Sequence, residues 1–491
     1  MFALLAVRSR YGAARLLSCS SCSALQQIQV QQQQQQQIQQ QGQAFHSSSS
    51  SSIDSSSSED DHKFVGAYTP VTKQLWLDRL RKAEQQQHQA AGAAAGVLAG
   101  TEVQPAAAKA PQVTRVDYPF TKDKFLLEMY RNPWGFLRMG RLLEDLDSLA
   151  GSIAFAHCQV PGLPPPLLVT AAVDAIEYQH PAVLSADMAC QGQVVYTGGS
   201  SLDIRMELLQ EPHAPSPSLV ALFSFVLLDP ATKRPAKVPQ VQPVTPQEQR
   251  WAAERAAVAA ARKAARKAAQ GKPQLSAEQQ QLLQEALSAS RLLLDMPALA
   301  DPSALTAEET SLSNAFVCQP QQRNMHGRIF GGFLMRRAFE LAFASTYLFA
   351  GSRPAFVRVE DITFRNPVDV GSLLRFKSHV VHVSYHPAPA AAAAAPAEGT
   401  AAGTASAESA QPAAAAATEE QQQQPQQQRV AHVAVEVEAV VSQPEQKETT
   451  HTNTFRYVFA VKLAPGQALR RVLPASEADV ERLIRCLADC E

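Results

Sequence analysis

Between Asn324 and Gly332 the chain reads NMHGRIFGG, a polar turn that closes on a glycine pair and then enters a long apolar stretch, Phe333 to Tyr347. Glycines at the mouth of a helix leave backbone N–H groups uncovered, and the helix dipole adds partial positive charge there. Such a mouth holds an anion, or the oxyanion that develops on a carbonyl under attack. The Asn324 amide could orient a carbonyl or a water beside it. An acid that could work with this mouth lies far upstream. Apolar residues at 142, 146, 149, 150, 153 and 154 recur at the helical period. On that helix Glu144 and Asp145 point away from the apolar stripe, and Asp147 falls on its rim. A carboxylate at the edge of a buried face is costly unless it is paired or used. Asp147 is therefore a candidate general base or nucleophile. The plainer alternatives are that Asn324 only shapes its turn and that Asp147 is a solvated rim charge.

The elements that must position these residues are written twice. Val173-x-x-Ile176-x-x-x-x-Pro181 recurs as Val359-x-x-Ile362-x-x-x-x-Pro367, an offset of 186 that Val194-Val195 and Val380-Val381 keep. Upstream the offset is 192, pairing Asn132 with Asn324, Gly135 with Gly327 and Gly140 with Gly332. The difference of six is a longer loop in the first copy, where Pro161 to Pro166 lie. Each copy is a helix followed by four strand patterns, over 167–178, 187–197, 200–210 and 219–228, then 355–364, 372–384, 430–441 and 452–461. One helix followed by antiparallel strands makes a sheet wrapped around a central helix, so this is an internal duplication of an α+β unit. The copies differ at the chemistry. Asp147 corresponds to Phe339, and the Gly331-Gly332 pair corresponds to Met139-Gly140.

Around the copies the expected organisation is a leader over 1–60, a spacer over 61–116, a first domain over 117–240, a helical linker over 241–309, a second domain over 310–465 and a C-terminal helix or tail over 466–491. A short helix is expected over 76–87, with the folded part beginning near Asp117. The linker repeats Ala with Arg and Lys, and its RKAARK face is expected to be solvated. Runs of Gln at 31–41, Ser at 47–58, Ala at 386–418 and Gln at 421–428 have the composition of disorder, and 386–428 is expected to be a dispensable insert between two strands. The leader carries Arg8, Arg10 and Arg15 with no acid before Asp54, which reads as an organelle transit peptide, mitochondrial or plastid. Lys and Arg number 44 against 45 Asp and Glu, so no charge excess points to nucleic acid. The apolar run is too short, and too interrupted by Arg336, Arg337 and Glu340, to span a bilayer. Among the seven cysteines Cys158, Cys190, Cys318, Cys486 and Cys490 form no C-x-x-C pair, so reduced thiols and no zinc are expected. His379 and His382, three apart on a strand, face opposite ways and make no metal pair. No G-x-S-x-G elbow, P-loop or dinucleotide fingerprint occurs in the patterned parts, which disfavours a serine hydrolase and a nucleotide cofactor.

N-x-x-G-x-I-F-G-G-x-L-M at 324–335, followed by SRPAFVRVEDITFRNPVDVGSLLRF, resembles the hotdog-fold acyl-CoA thioesterases, and most closely their mitochondrial double-hotdog branch. The resemblance covers roughly 115–240 and 310–465. It implies two tandem hotdog domains joined as a pseudo-dimer with one continuous sheet. It also implies an acyl-CoA substrate hydrolysed to free acid and coenzyme A, no cofactor or metal, a mitochondrial matrix location and a homo-oligomer of double-hotdog units. In such two-domain enzymes one site takes its Asn from one hotdog and its carboxylate from the other. Carried over, that pairs Asn324 with Asp147, with the Gly331 and Gly332 N–H groups on the oxyanion. The opposite pairing, Asn132 with Phe339, has no base, although Asn132 could still serve Asp147 within its own copy. Gly198-Gly199-Ser200-Ser201 matches the family's G-R-S-S turn beside bound coenzyme A, with Gly199 where the arginine stands. Arg353 and Arg365 are the candidates to supply that missing contact. Two rival readings remain: a non-catalytic acyl-CoA-binding hotdog protein, and a hotdog enoyl-CoA hydratase using Asp147 with His157. His326 reads as a turn residue.

Overall fold

The computed structural model describes residues 69–94, 108–160, 165–210, 214–268, 275–387, 429–464 and 466–488. The expected leader and nearly all of the expected insert lie outside the described residues. Helix α1 (Pro70–Ala94) precedes the first copy, which comprises β1 (Thr114–Tyr118), α2 (Lys124–Tyr130), α3 (Met139–Cys158), β2 (Leu167–Tyr178), β3 (Met188–Thr197), β4 (Ser201–Leu209) and β5 (Leu219–Leu228). Helices α4 (Pro246–Ala268) and α5 (Ala277–Asp295) and the short β6 (Leu305–Thr306) lead to the second copy. That copy comprises β7 (Leu312–Val317), α6 (Gly331–Ala350), β8 (Ala355–Phe364), β9 (Leu373–Pro387), β10 (Arg429–Gln443) and β11 (Glu448–Lys462), followed by β12 (Val472–Leu473) and α7 (Glu477–Ala488).

The alternation that marks half-buried strands places Leu219, Ala221, Phe223 and Phe225 of β5 inward, and it recurs along both copies. Ten strands form one sheet in the order β1-β3-β4-β5-β2-β8-β11-β10-β9-β7, a palindrome of equivalent strands. Its centre is the antiparallel pair β2–β8, where Val173 faces Ile362 and Ile176 faces Val359. The duplicated Val-x-x-Ile motif thus pairs with its own copy, as a two-fold axis requires. The expected pseudo-dimer with one continuous sheet is what forms. Helices α3 and α6 cross on the concave side, packed together and wrapped by the sheet.

Three features depart from the sequence reading. Glu144 and Asp145, expected to point away from the core, are 3% and 1% exposed. Their face of α3 is covered in turn, by the start of α1, β1 and α2 over Asp145 and by α6 over Glu144. The Thr69 hydroxyl donates to Asp145 Oδ1 at 2.5 Å, and the Tyr118 and Tyr130 hydroxyls donate to Oδ2. Arg141 and Arg336 hold Glu144. Second, 61–116 is not wholly a spacer. The expected short helix runs from Pro70 to Ala94, and Thr72 and Trp76, four apart on one face, are buried against the first copy. The Trp76 indole N–H donates to Ser148 Oγ on α3 at 3.0 Å. Third, the linker helix α4 is docked on the first copy through Arg255, outside the RKAARK face; Arg262 of that face is exposed, and the side chains of its other cations lie outside those described. Arg255 bridges Asp174 and Asp203 on the outer face of the sheet, and Arg262, the first cation of RKAARK, reaches Asp174 at 2.8 Å.

Two expectations follow. Trp76→Ala should lower the unfolding free energy by about 3–5 kcal/mol, measured by chemical denaturation, because it empties a core site and orphans Ser148. Pro387 on β9 pairs directly with Arg429 on β10, so a short turn can join them. Replacing 388–428 with such a turn should change stability by less than about 1 kcal/mol, read by the same method.

Candidate active site

The two central helices meet where each begins. Asp147 leaves α3 and reaches the N-terminus of α6. Its Oδ2 accepts the Gly332 N–H at 2.6 Å, and its Oδ1 accepts the Thr170 hydroxyl of β2 at 3.1 Å. The glycine pair is there for room. A Cβ at Gly331 would stand 3.0 Å from Asp147 Oδ2 and 3.3 Å from the Phe364 ring. One at Gly332 would stand 2.7 Å from the Phe330 ring and 3.0 Å from the Glu144 backbone. The sequence reading assigned both N–H groups to an oxyanion. Gly332 N–H is instead taken by the acid, because the helices approach closely enough for the carboxylate to reach it. Gly331 stands at the start of the helix, where an N–H has no intrahelical acceptor.

Asp147 is not a solvated rim charge. It is 1% exposed. Burial pushes its pKa up to about 7, against the two hydrogen bonds that favour the anion, and the Glu144 carboxylate adds to the rise. A carboxyl that titrates near neutrality is suited to taking and returning a proton.

Asn324 shapes the turn that opens α6. Its Oδ1 accepts the His326 N–H at 2.9 Å and the Arg328 N–H at 3.1 Å, around Gly327 at φ +79°. Asn132 makes the same turn before α3, accepting from Trp134 and Phe136 around Gly135 at φ +79°. The plainer reading of Asn324 as a turn residue is therefore true of its Oδ1, and Asn132 does the same in the first copy. Asn324 lies in the turn that leads into α6, and Asp147 reaches the first turn of that helix. Asn132 lies in the turn that leads into α3, where Phe339 lies against Gly140 with 3.4 Å to its would-be Cβ. There Phe339 packs edge-on against Phe356 and Tyr457, at 5.6 and 5.7 Å between ring centroids. Aromatic side chains thus stand where the mouth of α6 has Asp147 and Thr170, while a surface cavity of about 640 Å³ opens beside Asn132, lined by Glu128, Arg131, Pro133, Gly135 and Arg138 as well.

Thr170 is the site residue that sequence reasoning missed. The signal was present: the offset of 186 maps it to Phe356, so a polar residue gives way to an aromatic ring just as Asp147 gives way to Phe339. The Gly198–Ser201 turn, with Ser200 within it, lies at the same end of the sheet as Thr170. Thr197, Leu202, Phe225 and Thr170 pair in one row across β3, β4, β5 and β2. At one strand spacing each, the turn is about 10 Å from Thr170. Arg365 follows Phe364, whose ring touches the Gly331 position. Arg353 is elsewhere: its guanidinium lies 4.6 Å over the Phe136 ring and 5.9 Å over Trp134, beside the Asn132 turn. His157 does not meet Asp147, since its Nε2 is bonded to the Pro239 carbonyl at 2.8 Å. His326 contributes its backbone to the Asn324 turn, as expected. His379 sits 3.3 Å from Glu308.

A sheet of ten strands wrapped on two antiparallel-paired copies, with one polar and one aromatic mouth, defines a double-hotdog protein. The family described as the thioesterase superfamily matches residues 135–215, from the Asn132 turn through β4. Acyl-coenzyme A thioesterase 2, chloroplastic, of Humulus lupulus is 34% identical over 76% of this chain and 78% of its own length. Acyl-coenzyme A thioesterase 4, mitochondrial, of the same plant is 36% identical over 76% of this chain and 64% of its own. Acyl-coenzyme A thioesterase 9, mitochondrial, of Homo sapiens is 34% identical over 53% and 61%. The chain belongs to the hotdog-fold acyl-CoA thioesterase family. It spans 64% of the mitochondrial plant relative's length.

The buried acid makes a stability prediction with a definite sign. Asp147 keeps its proton in the folded chain up to about pH 7 and loses it near pH 4 when unfolded, so between these values the folded state binds more protons and stability falls as pH rises. Asp147→Asn removes that loss. Its melting temperature should exceed that of the parent at about pH 8 by more than it does at about pH 5.

Proposed function

We propose that this chain hydrolyses acyl-CoA thioesters to free acid and coenzyme A at the composite mouth of α6. The observation that carries the reading is the delivery of a buried, near-neutral Asp147 from one copy to the helix N-terminus of the other. In the reaction a water adds to the thioester carbonyl carbon while Asp147 takes its proton. The carbonyl oxygen becomes an oxyanion held by the Gly331 N–H and the Asn324 amide. Collapse of that intermediate breaks the carbon–sulfur bond, and the proton on Asp147 passes to the departing thiolate. Direct attack by the Asp147 carboxylate, through an anhydride that water then cleaves, uses the same groups. Thr170 and Gly332 hold the carboxylate in place in either case, and the Gly198–Ser201 turn and Arg365 lie on the side where the coenzyme would leave the site.

A non-catalytic acyl-CoA-binding protein has no need of a buried carboxyl held by two donors, and the hydratase reading loses its histidine to Pro239. The relatives' names, two mitochondrial and one chloroplastic, support import into an organelle, for which we adopt the mitochondrial matrix with the plastid as the alternative. Among the described residues no helix is long and apolar enough to cross a membrane. The homo-oligomer of double-hotdog units belongs to the proposal as well, and light scattering on the purified chain reads it.

Thiol release from a series of acyl-CoAs tests the activity; no release at any chain length would end this reading. Asp147→Asn should lower kcat by roughly 10²–10⁴-fold, the usual contribution of a general base. Asn324→Ala should do comparable damage, and the double variant should be scarcely worse than the poorer single one, because the groups act together. Asn132→Ala should leave kcat close to that of the parent, since its mouth holds Phe339; a dead Asn132→Ala beside a silent Asn324→Ala would move the site to the first copy.

A further inference from the structure

The offset of 192 that pairs Gly140 with Gly332 also pairs Glu144 with Arg336. In the seam between α3 and α6 these four residues make two equivalent contacts. A Cβ at Gly332 would meet the Glu144 backbone at 3.0 Å, and one at Gly140 would meet Arg336 Cγ at 3.1 Å and its carbonyl at 3.8 Å. Exchanging the copies turns one contact into the other, so the axis that crosses the sheet midway between the Val173–Ile362 and Ile176–Val359 pairs also passes between Glu144 and Arg336. At such an axis identical copies would present the same side chain to itself. Here the side chains carry opposite charge. Arg336 Nη1 lies 3.0 Å from Glu144 Oε2, with the two side chains 19% and 3% exposed. Arg141 sits 2.8 Å from the same carboxylate oxygen and Glu340 3.8 Å from Arg336 Nε, both within their own copies.

Glu144 and Arg336 are each one short step from the chemistry. Glu144 lies one helical turn before Asp147, and its own backbone abuts Gly332, the glycine whose N–H holds that acid. Arg336 lies one turn after Gly332 on α6. We infer that Glu144–Arg336 is a positioning pair for the active site, formed only between unlike copies, which sets the register of α3 on α6 and so delivers Asp147 to the Gly332 N–H. Pairing either copy with itself would replace this attraction by two like charges close together in a poorly solvated seam, eased only by Arg141 or Glu340. The groups that face Asp147 are Glu144 from α3, Thr170 from β2, the Gly332 N–H from α6 and, across the Gly331 position, the Phe364 ring of β8. Of these only Glu144 is charged, and Arg336 acts on the acid through it.

The inference rests on the catalytic reading of Asp147 for its kinetic arm and stands apart from it in its stability arm. In the full chain, Glu144→Gln and Arg336→Gln should each lower the melting temperature, and the double variant should be no less stable than the poorer single one, because both remove one interaction. Losses that simply add would overturn the pair, and this comparison needs no activity at all. Each single variant should also lower kcat by about 10–100-fold with a smaller change in KM, as expected of a displaced catalytic group. Arg336→Gln should move the midpoint of the pH–rate profile upward, because Glu144 is left less compensated beside Asp147, and Glu144→Gln should move it downward. Parent-like kcat and unmoved midpoints in both variants would overturn the positioning role, leaving the pair a structural one. A parent chain that releases no thiol, with the melting temperatures still coupled, would count against the thioesterase reading and not against the pair.

Discussion

The close approach of α3 and α6 is the constraint on which the rest of the molecule depends. Two helices of similar length cross over glycines, so that a carboxylate from one touches the first turn of the other. A side chain at Gly332 would press on the Glu144 backbone, and one at Gly331 on the Asp147 carboxylate and the Phe364 ring. Closeness also sets the acid's chemistry. The same packing that excludes water raises Asp147 to about 7, and the single backbone N–H it reaches keeps the anion accessible. A better solvated Asp147 would be a weaker base, and one with no donor would remain protonated at neutral pH.

From that contact the asymmetry of the duplication follows. Both copies keep the asparagine turn, the glycine at the helix mouth and the Val-x-x-Ile pairing at the centre of the sheet, because these build the pseudo-dimer. Only one mouth keeps an acid and its threonine. At the other, Phe339 and Phe356 occupy the equivalent positions and pack on each other, with Tyr457 against Phe339, so apolar rings fill the space that the polar pair takes at the first. A mouth that had merely lost its acid would leave Thr-like donors buried without partners, at a cost that an aromatic pair avoids.

Much of this was legible in the chain. The repeated motifs carried the pseudo-dimer, and the substitution of Asp147 by Phe339 at the matched position carried the choice of mouth. What could not be read from periodicity was everything created by contact between elements. A helical wheel for α3 turns Glu144 and Asp145 outward because it knows only one covering layer, whereas α1, α2 and β1 cover Asp145 and α6 covers Glu144. The same limit hid Trp76, which stands in a stretch of spacer-like composition, and Arg255, whose two carboxylate partners lie some 50 and 80 residues away in sequence. It also hid which of the two glycines the acid would take, since that depends on how the helices approach. Burial by a distant partner leaves no local trace in composition or period.

The central claim is that Asp147, buried across the copy boundary, is the group whose ionisation controls turnover. Difference infrared spectroscopy of the parent against Asp147→Asn isolates the protonated carboxyl band of this one residue and can be followed through a pH titration. The account predicts that the band disappears with a midpoint near 7 and that the rise of kcat/KM for thioester hydrolysis shares that midpoint. A band that vanishes in the ordinary carboxylate range near pH 4, or a rate profile that rises independently of it, would contradict the account.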